Sequence, residues 1–257
     1  MSEFMCIINY VYDNFTMEIK MNYIYESYSD AGTRENNEDS LVVCEGKNGF
    51  IAAVADGLGG YRGGEIASAL VVESLREQFE NDPDPDMARL LENANEYLLQ
   101  KQAELGLKMK TTAAAVMINN GQTVFANIGD SRIYAFKDSC IVFQSTDHSV
   151  AQMCVDAGEI TAQQIRTHED RSVLTRTLGG RHGVRADITV FDEMAYDSLL
   201  ICSDGFWGCV SEQEMCSTLE QSATPQQWLE KMRKLRNENV NQDNDNNTAV
   251  VIFIKEV

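Results

Sequence analysis

The sequence predicts an α+β fold, in which two antiparallel β-sheets are covered by helices. Three observations lead there. Most apolar runs are short and bounded by turn residues, which is the pattern of strands. Several are joined by only a few residues, as at Asn119-Asn-Gly121 and Lys137-Asp-Ser139, and links that short make antiparallel hairpins because parallel neighbours need a long crossover. Helical periodicities occur in a pair within the first half and once more near the end, so helices are available to cover the sheets.

In chain order, Ser40–Cys44 and Phe50–Ala55 read as the first strands. Gly63–Phe79 places Ile66, Leu70, Val71, Ser74, Leu75 and Phe79 near one helical face. Asp82-Pro-Asp-Pro-Asp86 is a loop with an acidic helix start, and Asp86–Leu105 repeats the helical stripe through Leu90, Leu91, Ala94, Tyr97 and Leu98. Thr112–Ile118, Thr123–Ile128, Arg132–Phe136 and Ile141–Gln144 are strands, followed after a gap by Ile188–Phe191 and Leu199–Cys202. Trp228–Val240 is a further helix. The polar tract Asn237–Asn247 leads straight into a last strand, Thr248–Ile254. Residues 1–22 are expected to be an N-terminal extension, either a disordered leader or the product of an upstream start with Met21 as the effective beginning. Residues 23–257 are expected to form a single domain.

Bulk properties narrow the function. At 257 residues and 44% hydrophobic content, the chain can bury a substantial core. A net charge of −19 argues against nucleic-acid binding, which relies on Lys and Arg against phosphates. Seven cysteines, an odd number with no C-x-x-C pair, read as reduced thiols of a cytoplasmic protein. No apolar stretch approaches the ~20 residues of a membrane helix.

The chemistry concentrates where acids meet strand ends. Asp56-Gly57 follows the apolar run Phe50-Ile-Ala-Ala-Val54, and Asp204-Gly205 follows Ser198-Leu-Leu-Ile-Cys202. An acid at the end of a buried strand, next to a bare backbone turn, presents hard oxygen ligands of the kind Mg²⁺ and Mn²⁺ prefer. One Asp-Gly after a strand is ordinarily a turn. Here the arrangement recurs with Gly32-Thr-Arg-Glu-Asn-Asn-Glu-Asp39, Ile128-Gly-Asp-Ser-Arg132 and Asp245-Asn-Asn-Thr248, and the set suggests one shared metal site.

In this order and spacing the segments resemble the type 2C family of metal-dependent serine/threonine protein phosphatases, particularly its bacterial members. The match runs through Gly32-x-x-Arg34-x-x-x-Glu38-Asp39, Val54-Ala-Asp-Gly-Leu-Gly-Gly60 and Gly64-Glu-Ile-Ala-Ser68. It continues through Thr111-Thr112, Ile128-Gly-Asp-Ser-Arg132 with Tyr134, and Thr146-Asp-His-Ser149. Val173-Leu-Thr-Arg-Thr-Leu-Gly179, Leu200-Ile-Cys-Ser-Asp-Gly205 and Asp245-Asn-Asn-Thr248 complete it, so that it spans Tyr25 to Ile254.

The resemblance implies a central β-sandwich of two antiparallel sheets flanked by helix pairs, four layers in the order α-β-β-α. It implies two Mn²⁺ or Mg²⁺ ions, with room for a third. Asp56 would bridge the two ions, the Gly57 carbonyl would bind one, and Asp204 and Asp245 would complete the other. Glu38 and Asp39 would hold metal-bound waters, Glu38 with the option of direct ligation, and Asp130 beside Asp204 would serve the third ion. Arg34 would grip the substrate phosphate, a task its planar fork suits. The catalytic set is then Arg34, Asp56 and Asp204, with a flap near residues 150–172. Two cations about 3.5–4 Å apart would activate a bridging water for in-line attack on phosphorus.

The sequence departs from the family pattern at two places. Leu58 stands where some members carry a histidine proposed as general acid, so the leaving-group proton must come from elsewhere. Lys110 stands where glycine is usual. His148 reads as structural, His168 and His182 as exposed loop residues, and Cys202 as a buried core thiol rather than a nucleophile. The implied partners are phosphoproteins, among them a Ser/Thr protein kinase as natural counterpart, without nucleic acid or membrane, and the chain is expected to be a monomer. The alternative reading is a non-catalytic, phosphoprotein-binding relative of the same fold. Loss of a metal acid would favour it, and none is lost.

Overall fold

The computed structural model describes residues 4–12, 15–47, 49–59, 63–119, 121–192, 195–240 and 244–256, with backbone alone for 4–12, 15–20 and 256. The strands and helices run in the order β1 (Phe4–Tyr12), β2 (Phe15–Asp30), β3 (Asp39–Gly46), β4 (Gly49–Leu58), α1 (Gly63–Asn81) and α2 (Met87–Leu105). There follow β5 (Lys110–Thr111), β6 (Ala113–Asn119), β7 (Gln122–Ile128), β8 (Arg132–Lys137), β9 (Cys140–Gln144) and α3 (Val150–Asp156). After a 3₁₀ turn at Ala162–Thr167 come β10 (Asp187–Asp192), β11 (Ser198–Cys202), α4 (Asp204–Trp207), α5 (Glu212–Glu220), α6 (Pro225–Asn239) and β12 (Asn247–Glu256).

One sheet has the order β1-β2-β12-β11-β8-β9, the other β10-β7-β6-β4-β3 with β5 on the end of β4, and every pairing is antiparallel. The predicted strands and helices are all present. The central strands read as unbroken apolar runs because both of their faces are buried. In β4, Ile51, Ala53 and Ala55 pack towards α1 and α2, while Phe50, Ala52 and Val54 face the other sheet. In β12, Val250, Ile252 and Ile254 face inward between the sheets, while Ala249, Val251 and Phe253 meet Trp228, Leu229 and Met232 of α6. Three apolar interfaces therefore separate four layers, as the resemblance implied.

Local chemistry sets the boundaries. Ala67, Val71, Leu75 and Phe79 recur at four-residue spacing and bury one stripe of α1. Asp86 caps α2 by accepting from the Arg89 amide, and Gly106 ends it at φ 67°. Thr224 caps α6 with Pro225 in its first turn. Asp138 and Ser139, at φ 50° and 61°, form the two-residue link between β8 and β9.

The structure adds elements that the periodicity does not reveal. β4 continues past Ala55 to Leu58, where Gly57 and Leu58 pair with β5. Within the extension expected over residues 1–22, the backbone of β1 pairs with β2 from Phe4↔Tyr23 to Tyr12↔Phe15. β2 then runs on to Asp30 along β12. Its alternation is diluted: Met21 and Tyr23 are buried, but Glu18, Lys20 and Glu26 interrupt any apolar run. α5 has a Ser211/Glu214 capping box yet buries only Met215, Thr218 and Leu219, too little for a visible stripe.

Candidate metal and phosphate site

Antiparallel pairing brings strand starts and strand ends to one edge, and the acids of the motif segments sit there. Asp39, at the start of β3, is directly opposite Asp56 near the end of β4. Cys202, ending β11, is opposite both Ala249 of β12 and Arg132 of β8. Asp204 and Asp245 therefore arrive from neighbouring strands, and Asp130 arrives from the turn before β8. Together with Arg34 and Glu38 they line a cavity of about 460 Å³, closed on one side by Ser172 and Leu174. Gly57 and Leu58 line the same cavity; Asp39 lies behind it.

Backbone contacts are tight here. A Cβ on Gly57 would sit 2.1 Å from the Gly64 carbonyl oxygen, and one on Gly205 2.1 Å from that of Asn246. Only glycine allows the end of β4 to approach the start of α1, and α4 to approach the segment before β12, so closely. The Thr111-Thr112 pair clamps Asp56: Thr111 Oγ1 donates to the Asp56 carbonyl at 2.8 Å, and the Asp56 amide donates to Thr112 Oγ1 at 2.9 Å. Thr112 Oγ1 in turn lies 2.7 Å from Ser131 Oγ, beside Asp130.

The electrostatics are those of crowded anions. Burial, and then the charges of Asp39, Asp204, Asp130 and Asp245, push the Asp56 carboxyl well above its usual range. Burial and Asp204 do the same to Asp130. Asp204 is raised by burial and by Asp245, although its side chain is within hydrogen-bonding reach of Asp56. Burial raises Asp39 to about 7, against a hydrogen bond of 2.7 Å from Ser203 Oγ to its Oδ2. Glu38 is raised by partial burial and by Asp245. Such a group of carboxylates calls for positive charge.

The donor set fits hard divalent cations. Every side chain the resemblance offers as a ligand is a carboxylate, the Gly57 carbonyl would add another oxygen, and buried Asp39 Oδ1 has no hydrogen-bond partner. Among the described residues, no three acidic, histidine or cysteine side chains are gathered into one closed shell. Among the described residues that line the cavity the cationic side chain is Arg34, whose Nε and Nη2 donate to Asp245 Oδ1 and Oδ2 at 3.1 and 3.3 Å. The sequence assigns Arg34 to phosphate and Asp245 to metal; the structure pairs the two with each other.

Several contributing residues escaped the sequence reading. Asn246 accepts from the Glu38 amide at 2.8 Å and donates to the carbonyls of Ala31 and Asn36, both at 2.9 Å, which fixes the loop that carries Arg34. Its neighbour Asp245 was the available signal, but an asparagine in a polar tract looks like loop. Trp207 Nε1 donates to the Asp130 carbonyl at 2.9 Å. Buried Arg236 donates to the carbonyls of Gly205 and Asp245 at 3.1 and 3.3 Å.

The structure also places the residues read as bystanders. His148 Nδ1 accepts from the Gly129 amide at 3.0 Å, and its Nε2 lies 3.2 Å from Asp187. His168 accepts from the Asp170 amide at 3.1 Å within its own turn, and exposed His182 lies 2.6 Å from Glu96. None of the three histidines lines the cavity. Cys202 is fully buried, and burial pushes its thiol far up, opposite to what a nucleophile needs.

Known proteins resemble this chain in sequence and in fold. The sequence pattern of the family described as "Protein phosphatase 2C" matches residues 28–244. The serine/threonine phosphatase stp of Listeria monocytogenes is 33% identical over 202 residues, covering 74% of this chain and 80% of its own length. The serine/threonine protein phosphatase PstP of Mycobacterium tuberculosis is 33% identical over 203 residues; the match covers 76% of this chain but only 38% of that longer protein. The crystal structure of the PstP catalytic domain in complex with two manganese ions superposes with a TM-score of 0.78 at 29% identity, covering 91% of this chain and 99% of that one. With its fold, its motif order and the acids at one edge of the sandwich all in agreement, the chain belongs to the protein phosphatase 2C family.

Proposed function

We propose that this protein hydrolyses phosphoserine and phosphothreonine in other proteins, using two Mn²⁺ or Mg²⁺ ions held in the acid-lined cavity. One observation supports this above the rest: Arg34 and Glu38 of one segment and Asp56, Asp130, Asp204 and Asp245 of four others line a single cavity. The manganese complex of the PstP catalytic domain adds support for a two-ion site. Asp56 would serve both ions and the Gly57 carbonyl one, with Asp204 and Asp245 at the other. Glu38 and Asp39 would hold waters of the shell, and Asp130 would serve a third ion. When bound, the ions supply the positive charge that an anionic phosphate ester requires and a water acidic enough to attack phosphorus.

The chain's own residues do the rest. Arg34 offers a planar fork for two phosphoryl oxygens. Phosphate is an alternative partner for that fork, as a cation is for Asp245, so substrate and metal can together replace the Arg34–Asp245 pair. Leu58 lines the cavity where a histidine would otherwise supply a proton, and no histidine reaches it. Protonation of the leaving serine or threonine oxygen would then fall to water or to a group other than histidine. Residues 23–257 would form the catalytic unit, with the flap over 150–172. The protein would act in the cytoplasm as a monomer, opposite a Ser/Thr kinase.

Phosphate release from phosphoserine and phosphothreonine peptides, measured with Mn²⁺, with Mg²⁺ and with EDTA, tests the proposal. Release that needs metal supports it; none with either metal, from a folded sample, would end it. Metal should also raise the melting temperature, because an ion that binds only the native state stabilises it by about 2.7 kcal/mol at one hundred times its dissociation constant. Arg34→Ala should raise KM for a phosphopeptide by about tenfold, the size of one charge-assisted interaction at a half-exposed site, and should leave the metal-induced melting shift in place. An unchanged KM and kcat would remove Arg34 from the site.

A further inference from the structure

The segment between Ser149 and Leu174 reaches the cavity at its C-terminal end. Its base is pinned by a backbone bridge between those two residues, and the Val150 amide donates to the Val173 carbonyl at 2.9 Å. Ser172 and Leu174 line the cavity, with half-exposed Val173 between them. The far end is the 3₁₀ turn Ala162–Thr167, where Ile165 is buried in the apolar cluster that also holds Trp207, Met215 and Trp228, and Arg166 follows it.

Arg166 Nη2 donates to Glu212 Oε1 at 2.7 Å, at the start of α5. Its guanidinium lies 5.3 Å from the centre of the Trp207 ring, and its buried Nη1 has no hydrogen-bond acceptor. Trp207 ends the helical turn that begins at Asp204, and its indole holds the Asp130 carbonyl. The Arg166 carbonyl accepts from Arg171 Nη1 at 3.3 Å, one residue before Ser172. Ile165 supplies the burial that keeps the turn down, whereas Arg166 sets its direction, since a guanidinium held by a carboxylate on one side and an indole face on the other has one geometry.

We infer that Arg166, through Glu212 and Trp207, is a positioning residue that latches the 150–174 segment as a specificity wall for the peptide flanking a phosphorylated residue. The inference rests on the phosphatase reading for its substrate and on geometry for its latch. A protein substrate must run past Ser172, Val173 and Leu174, whereas a small aryl phosphate needs only the acidic floor. Loosening the wall therefore weakens one and spares the other.

The test compares wild type, Arg166→Gln and Arg166→Lys with p-nitrophenyl phosphate, with a phosphothreonine peptide, and by hydrogen exchange across residues 160–174. Arg166→Gln should raise the peptide KM by about five- to tenfold while p-nitrophenyl phosphate KM and kcat stay within about twofold. Exchange in 160–174 should rise without change in β4 and β12, and lysine, which keeps the charge but not the planar fork, should restore the peptide KM only in part. Equal losses on both substrates, or unchanged peptide KM with unchanged exchange, would overturn the latch. If the wild type releases no phosphate from either substrate, the phosphatase reading fails, and the exchange comparison still decides whether Arg166 holds the segment.

Discussion

Asp56→Asn and Asp204→Asn should each lower phosphate release by at least about 10²-fold at saturating Mn²⁺, because changes in residues that merely support metal ligands already cost about 10–100-fold. The same substitutions should make the metal-free protein more stable. Asp56 is raised well above its usual range by burial and four neighbouring acids, so at neutral pH the fold works against its ionised form. Asparagine has nearly the same volume and no charge to bury. The sign follows from linkage: a carboxyl raised in the folded state costs stability above its ordinary range, and the loss is recovered as pH falls through the raised value. In EDTA the wild type should therefore gain melting temperature as pH is lowered from about 7, where Asp39 takes up its proton, towards the ordinary carboxylate range of about 4. Asp56→Asn should melt higher than wild type in EDTA and respond less to Mn²⁺. Near-normal turnover in either purified variant would remove the two-ion assignment; a lower melting temperature for Asp56→Asn in EDTA would show that the acids do not strain the fold.

The second large effect lies behind the cavity. Arg132→Met should destabilise the protein by about 3–5 kcal/mol, the usual result of leaving one member of a buried ion pair alone. Arg132 Nε and Nη2 hold Asp147 Oδ1 and Oδ2 at 2.8 and 2.7 Å, and both side chains are almost completely enclosed, at 3% and 1% exposure. The guanidinium also lies 3.5 Å from the Trp207 ring, and its Nη1 donates to Tyr134 at 3.0 Å. The single substitution strands the Asp147 carboxylate. Arg132→Met with Asp147→Leu removes both charges and should recover most of the loss, since apolar replacement of a whole buried pair is often neutral. Activity should not recover in step, because Trp207 holds the Asp130 carbonyl and loses its stacking partner either way. Urea unfolding of the single and double variants measures this. A single variant within about 1 kcal/mol of wild type would mean the pair is not a structural lock.

The chain shows how unevenly a fold is written in its sequence. β4, β6, β11 and β12 were legible because two-sided burial makes a strand uniformly apolar. α3 and α5 were not, because neither is long enough to repeat a stripe. β2 was hidden by charges placed among its buried tyrosine and methionine. Asp56, Asp130, Asp204 and Asp245 stood out because each acid sits in a short local pattern at a strand boundary, and short patterns survive without any knowledge of the fold.

What the sequence determined by itself was the number and kind of most elements, the antiparallel pairing implied by short links, and the acids and arginine that now line one cavity. Tertiary structure alone decided which of them meet. The Arg34–Asp245 pair joins residues 211 positions apart, the Asn246 contacts with Ala31 and Asn36 span 215 and 210, and Arg166 reaches Glu212 across 46. Local periodicity reports what a residue does to its own helix or strand; it contains no distance between segments. Those distances were settled when two sheets buried their apolar faces against each other and brought the polar ends of many strands to one edge.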